Sequence, residues 1–461
     1  MKTIRNDELF LMAEDEELDE KTLRNFITKH HQLLKTRYEE LIRAYKSDYP
    51  ILYQEKKANG KPDNRIVVNF AKYIVDTMQG FFIGIPIKVT SEDKKINDYI
   101  NFLDKYNDQD DNNAELARIT SIYGKAYEFY FMDDDKNSCI TYVSPLDGFM
   151  IYDDSILQKP LYFVTYGRTK DVGEDGREKL VITGTVYDKT KVRPFSYSKK
   201  GLFVKNEDGT PTLHGFQDVP ATEYIENEER EAIFESVYTM INHYNKAISE
   251  KANDVDYFAD AYMKVLGAKL RAEDLSKIRD SRIINLEGDA AEKIIAEFME
   301  KPNADTTQEN LLNRLERLIY QISMVANIND ENFGNASGIS LKYKLQSMSN
   351  LAKTKERKFI SGMNRRYRVL FTNPLSKMPK DAWLKIEYKM TPNFPANLLE
   401  ESQIAGNLAG ITSRDTQLKV LSIVEDIEAE KEKIEEDYDP LDYGTDFETT
   451  RVVSEDELLE E

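Results

Sequence analysis

Ile233, Val237, Ile241, Tyr244, Ile248, Ala252, Val255 and Ala259 follow one another at intervals of 4, 4, 3, 4, 4, 3 and 4. That spacing places them on one face of a long helix. Taken as residues 226–260, the helix would span ~52 Å at 1.5 Å per residue. A second stripe, Leu311, Leu315, Leu318, Ile322 and Val325, predicts a helix over 306–326. It opens on Thr306-Thr-Gln-Glu309, which has the form of a capping box. Between the two lies a short α/β insert, 261–305, with a strand (AYMKVLG), a helix (AEDLSKIRDS), a strand (RIINLEG) and an amphipathic piece (AEKIIAEFMEK). The long helices must run antiparallel for the insert to sit at one end. Such a hairpin cannot bury its apolar faces alone, so another domain or neighbouring copies must cover it.

The flanking regions read as mixed α and β. Leu23, Phe26, Ile27, Leu33, Leu34, Tyr38, Leu41, Ile42 and Tyr45 recur at helical spacing up to Pro50. A further helical stretch is predicted from Arg65, then a strand (IKVT), then helices near 96–106 and 113–123. From Ala126 to Val204 short β-branched and aromatic runs predict a mainly antiparallel sheet, with Asp175-Gly176 and Asp208-Gly209 as hairpin turns. Residues 327–340 are polar and glycine-punctuated. The helix that resumes carries Leu341, Leu345, Met348, Ala352, Phe359 and Met363 on its apolar side. The fold class is α+β.

Charge is unevenly placed. The 461 residues carry a formal charge of -20, but Glu425 to Glu461 holds 17 acids and 3 bases, a net of -14, which leaves -6 for the body. The tail reads as solvated chain. On the first long helix a polar stripe runs through Glu228, Glu231, Glu235, Asn242, Lys246, Ser249, Asn253, Asp256 and Asp260. The opposite bias falls between Lys342 and Arg368, where nine bases, among them Lys342, Lys344, Lys353, Lys355 and Arg357, face one acid, Glu356.

Chemistry is sparse by comparison. There is no phosphate-binding glycine loop, and the four histidines lack ligand spacing. Asp133-Asp-Asp135 and Asp153-Asp154 are the only acids that suggest a metal-dependent nucleic-acid-processing enzyme, and they sit where turns favour Asp. Cys139 is a lone cysteine expected to pack in a strand. No apolar run approaches the ~18 residues of a membrane helix, so a soluble protein without a membrane partner is expected.

The ordered set Asn64-Arg-Ile-Val-Val-Asn69, Gly80-Phe-Phe-Ile-Gly-Ile-Pro86, Tyr123-Gly-Lys-Ala-Tyr127, Tyr142-Val-Ser-Pro145, Ala247 to Gly267 and Asn332 to Met348 is similar to the portal proteins of tailed phages, SPP1-type. The resemblance implies a non-enzymatic ring, typically of twelve copies, at one capsid vertex, through which double-stranded DNA passes in and out. It implies a wing (1–225 with 341–395), a stem (226–260 and 306–326), a clip (261–305), a tunnel loop (327–340), a crown (396–437) and an acidic tail (438–461). Terminase, head-completion or adaptor proteins, and capsid or scaffolding protein would be partners, and no cofactor is implied. Asn329, Asp330, Glu331, Asn332 and Phe333 would face DNA from the tunnel loop. Glu228, Glu231, Glu235, Asn242, Lys246, Asn253 and Asp256 would line the stem. The basic helix would pair with acids of a neighbouring subunit in preference to DNA, because a firmly held phosphate must be released at each step of translocation.

Overall fold

The computed structural model describes residues 9–57, 61–172, 178–198, 201–204, 212–259, 263–266, 295–298, 305–328, 341, 343–393, 398–421, 423–424 and 427–437. The chain divides into two compact units, one of residues 1–335 with 342–393 and one of residues 336–341 with 394–461.

The first unit is mixed α and β. Asp19 caps α1 (Glu20–Leu33), and a π-helical turn over Leu34–Tyr38 runs into α2 (Glu39–Tyr45). The helix predicted from Arg65 begins only at Phe70, with Asn69 as its N-cap, and α3 runs Phe70–Ile83. Residues 64–68 are extended instead, and their amides are taken by side chains described below. α4 (Lys94–Tyr106) and α5 (Gln109–Tyr123) follow.

The sheet region splits in two. One sheet orders β1 (Phe10–Met12), β5 (Gly148–Asp153), β6 (Pro160–Val172), β7 (Glu178–Tyr187), β8 (Lys191–Ser198) and β10 (Thr212–Leu213), with β9 (Gly201–Val204) also on β8. The other orders β11 (Ala221–Ile225), β3 (Lys125–Met132) and β4 (Ser138–Val143). A short ribbon joins β2 (Lys88–Thr90) to β14 (Glu387–Lys389). Pairing is antiparallel except where β1 lies parallel on β5. β5 is buried on both faces: Phe149 and Ile151 pack against Phe10, Leu23 and Ile27, while Met150 and Tyr152 pack against Tyr127 and Phe163. The two Asp-Gly pairs lie outside the described residues.

Several predicted bounds are corrected. The first long helix, α6, runs Tyr238–Ala259, and residues 226–237 are turns ending in a single 3₁₀ turn. At 22 residues it is ~33 Å long. Its start is displaced because 226–237 is tied to the end of α5: Glu226 N donates to Gly124 O at 2.9 Å and Ile233 N to Ser121 O at 3.0 Å. The second, α7, runs Asp305–Ser323 and packs on α6. Thr306 therefore lies inside it, and Glu309 pairs with Lys251 of α6 in place of capping. In the insert, β12 (Met263–Leu266) pairs antiparallel with β13 (Ile295–Phe298), within the piece predicted only as amphipathic. The basic helix, α8, spans Gln346–Leu370.

In the second unit, α9 (Leu398–Asn407), α10 (Arg414–Val420) and α11 (Ile427–Asp437) are helical. Ser413 caps α10, and Lys431 of α11 reaches Asp415 of α10 at 2.8 Å. Among the described residues no helix is long and apolar enough to cross a membrane.

Candidate functional site

The polar stripe on α6 has a specific occupant. Asn64 N donates to Asn253 Oδ1 at 2.6 Å, Ile66 N to Ser249 Oγ at 2.9 Å and Val68 N to Asn245 Oδ1 at 2.8 Å. Ser249 Oγ also donates to Ile66 O, and Asn64 Nδ2 donates to Asp256 Oδ2. The geometry follows from two periods. Alternate residues of an extended chain advance about 6.6 Å, and four helical residues advance about 6.0 Å. A row at i, i+4, i+8 on a helix can thus satisfy every second amide of a strap laid along it. Leaving those amides buried and unpaired would cost about 1–3 kcal/mol each.

The remaining expected stem residues divide. Glu235 and Glu228 precede α6. Arg37 grips Glu235 with two nitrogens, Nε to Oε1 at 2.9 Å and Nη2 to Oε2 at 2.6 Å, and donates to Arg230 O. Glu228 pairs with Lys358 at 2.5 Å. Glu231 N donates to Asn227 Oδ1 within the same turn. Asn242 and Lys246 stay on α6, where Lys246 forms an exposed row with Thr239, His243 and Glu250. Asn329, Asp330, Glu331, Asn332 and Phe333, and Lys342, lie outside the described residues.

The basic helix is corrected most. Several of its charges are met inside the subunit, because one face of α8 lies against α5, β3 and the chain around β11. Arg366, fully buried, holds Glu128 through Nη2 to Oε1 at 2.7 Å and Nε to Oε2 at 2.8 Å, and donates to Asn113 Oδ1. Tyr130 and Tyr224 hydroxyls also donate to Glu128. Three turns earlier, buried Lys355 meets Glu226, Ser121 Oγ and the Ala117 carbonyl. Burial lowers the Lys355 pKa while Glu226 opposes the shift. Arg365 pairs with Asp218 and Lys353 with Glu356. Lys344 and Arg357 are exposed.

A third buried pair locks the turn between β11 and α6. Arg230 meets Glu223 at 2.8 Å, and Tyr152 Oη donates to Glu223 at 2.7 Å. Burial works to raise the Glu223 pKa, but Arg230 and then Lys125 outweigh it and hold it down to about 2. Gly124 stands at the centre of this junction with φ +82°, and a Cβ there would meet Arg230 O at 1.9 Å.

The acids considered for metal chemistry serve turns. Asp133 Oδ1 accepts from Asn137 N, and Asp153 Oδ1 accepts from Ser155 Oγ and Lys159 N. Among the described residues no three His, Cys, Asp or Glu side chains converge as metal ligands. Sequence reasoning missed Arg37, Glu128, Glu226, Asn245 and the strap. Only the i, i+4, i+8 row of Asn245, Ser249 and Asn253 carried a signal, since all three have short side chains with acceptor oxygens.

Comparisons with known proteins agree on one assignment. The chain is 24% identical over 397 residues to the portal protein of Clostridium phage phiCD119, covering 81% of this chain and 85% of that protein. It is 23% identical over 404 residues to the portal protein of Bacillus phage SPP1, covering 84% and 79%. The family model described as "Phage portal protein, SPP1 Gp6-like" matches residues 24–439. Since that match takes in the strap, the hairpin, the basic helix and the helices of the second unit, the chain belongs to the SPP1 Gp6-like family of phage portal proteins.

Proposed function

We propose that copies of this chain close into a ring whose central channel admits and releases double-stranded DNA at one capsid vertex. The ring would also be a platform for terminase, for head-completion proteins and for capsid or scaffolding protein. The observation that carries the reading is the outer face of α7. Leu311 and Ile322 are 50% and 43% exposed, with Leu315 and Leu318 half-buried between them, while Leu312 and Ile319 fill the seam against α6. An apolar row of that length on a lone subunit is a contact surface. A head-to-tail contact with a different patch of the next copy generates a ring when the rotation closes.

In this reading α6 and α7 form the stem, 261–305 the clip, 327–340 the tunnel loop and 396–437 the crown, with the first unit's remaining elements as the wing. The stem lining is revised from the sequence expectation. The acids Glu228, Glu235, Glu250 and Asp256 are tied to residues of the proposed wing, so the face that α6 offers is Thr239, His243 and Lys246, which carries little charge. A neutral wall suits a conduit, because each firm phosphate contact would be broken at every step of movement. The tunnel-loop residues Asn329 to Phe333 would make transient contacts.

Negative-stain class averages of the purified protein test the proposal. Rings with a central hole are expected, and a monodisperse monomer overturns it. Leu311→Glu combined with Ile322→Glu is expected to abolish rings while leaving the far-ultraviolet circular dichroism unchanged.

A further inference from the structure

The second unit is short of a core. α9, α10 and α11 have 10, 7 and 11 residues, each below the ~12–15 at which a helix becomes stable on its own in water. Packing must therefore hold them, yet among the described residues of the unit Leu418 alone is buried. Five large apolar side chains are left outside. Leu398, Leu399 and Ile404 on α9 are 50%, 70% and 37% exposed, and Ile411 and Ile423, in the turns on either side of α10, are 77% and 69% exposed. Single exposed apolar residues are ordinary on a surface, but five beside one buried leucine reverse the usual balance. A unit this small, whose own core is insufficient, is commonly stabilised by oligomerisation.

The charges point to the same kind of partner. Lys431 of α11 is engaged inside the unit by Asp415 and Glu428, and Lys433 by Glu430 at 3.8 Å. What remains is sorted by helix. Arg414 and Lys419 of α10 are exposed, Glu432 and Glu435 of α11 are exposed, and none of the four makes an ion pair among the described residues. α11 has no base in its last turn, where Glu435 opposes the helix dipole. The unit thus carries both halves of a complementary contact and joins neither within itself. We propose that the second unit is an interface between copies, in which the apolar side chains left out of its core pack on the same unit of the next copy. Arg414 and Lys419 of one copy meet Glu432 and Glu435 of the next, and α9 to α11 become stable helices only on assembly. A contact between two different helices is heterologous, so it propagates head to tail as ring closure requires. The inference rests on the ring proposed above and names what the second unit does in it.

Two full-length variants test the pairing, Arg414→Glu with Lys419→Glu and Glu432→Lys with Glu435→Lys. All four positions are exposed, so the fold is left intact. Each variant alone sets like charges across the contact, and hydrogen exchange over 398–437 is expected to run about tenfold faster than in assembled wild type. An equimolar mixture restores opposite charges at every contact between unlike copies, and wild-type protection is expected to return. Pairing within one copy gains nothing from mixing. Variants that exchange as wild type does, or a mixture no better protected than either variant, overturn the proposal. Leu311→Glu combined with Ile322→Glu supplies the unassembled reference. Equal protection of 398–437 in that variant and in wild-type rings also overturns the proposal, because the helices would then stand without a neighbour. Class averages read the ring separately. Copies that complement in the mixture without closing around a central hole support the interface and overturn the ring, rings without complementation do the reverse, and a wild-type monomer overturns both.

Discussion

α8 and α6 carry similar numbers of polar and charged residues on stripes of similar length, yet they use them oppositely. α8 turns Lys355 and Arg366 into the interior, where each meets a carboxylate and several further hydrogen-bonding groups. α6 keeps most of its stripe near the surface and uses short neutral side chains to hold a strap. The difference lies in what is packed on each helix. α8 is covered by α5, β3 and β11, so an unpaired charge there would be prohibitive. α6 packs on α7, on α3 and on the 3₁₀ turn Pro50–Tyr53, and along the extended segment modest neutral hydrogen bonds suffice. Buried pairs of the first kind fix α8 against α5, β3 and the end of β11. The strap ties α6 to α3 by bonds that are individually weak and set in register.

On that contrast the buried charges of the first unit dominate stability. Acid should have the largest effect. Burial, with Lys125 adding to it, holds the His30 pKa down to about 3 against 6.5 in the free residue, and Glu223 is held at about 2 against 4.5. The unfolded chain takes up the proton first in both cases. Their contributions are therefore fully present above pH 6.5 and 4.5 respectively and are lost as pH falls through 3 and 2. The loss is roughly 5 kcal/mol for His30 and 3 kcal/mol for Glu223 at 1.36 kcal/mol per unit. Asp104 runs the other way, since burial raises its pKa to about 6 and protonation there favours the fold. Urea unfolding at a series of pH values measures the sum: Asp104 offsets much of the His30 loss between pH 6 and 4, so the decline is steepest below pH 4, and a profile flat from pH 4 to 2 would refute it.

Arg366→Met comes next. It strands Glu128 and is expected to cost about 3–5 kcal/mol by urea unfolding, with much of the loss recovered when Glu128→Leu is added. Gly124→Ala forces a side chain into the left-handed region and against Arg230 O. It should cost about 3 kcal/mol, detectable as a lowered thermal midpoint. Smallest are Asn245→Ala, Ser249→Ala and Asn253→Ala at about 1 kcal/mol each. Hydrogen exchange sharpens this last comparison: each change should deprotect chiefly its own amide, Val68, Ile66 or Asn64. Uniform loss across the first unit would mean that the strap is not a separate element.

Much of the architecture was legible because periodicity survives without context. The α6 and α7 stripes, the β3 to β7 runs and the apolar side of α8 are local patterns, and they fall on helices and strands as their spacing implies. Boundaries failed where a distant group intervened. Residues 226–237 continue the apolar spacing of a helix, but Gly124 and Ser121 take their backbone groups, and 65–69 looked helical until side chains of α6 took its amides. The charged residues were the least legible. Their positions on a face were readable, but whether that face met a carboxylate, a strap or water depended on elements a hundred or more residues away.

The sequence by itself determined the class of fold, the long apolar hairpin and the family likeness, since these rest on residue order and short-range spacing. Only the tertiary structure decided that Lys355 and Arg366 are internal ties and that Glu228 and Glu235 pair with Lys358 and Arg37. A charge has no fixed meaning along a chain, because its energy is set by the dielectric and the partners that folding brings to it.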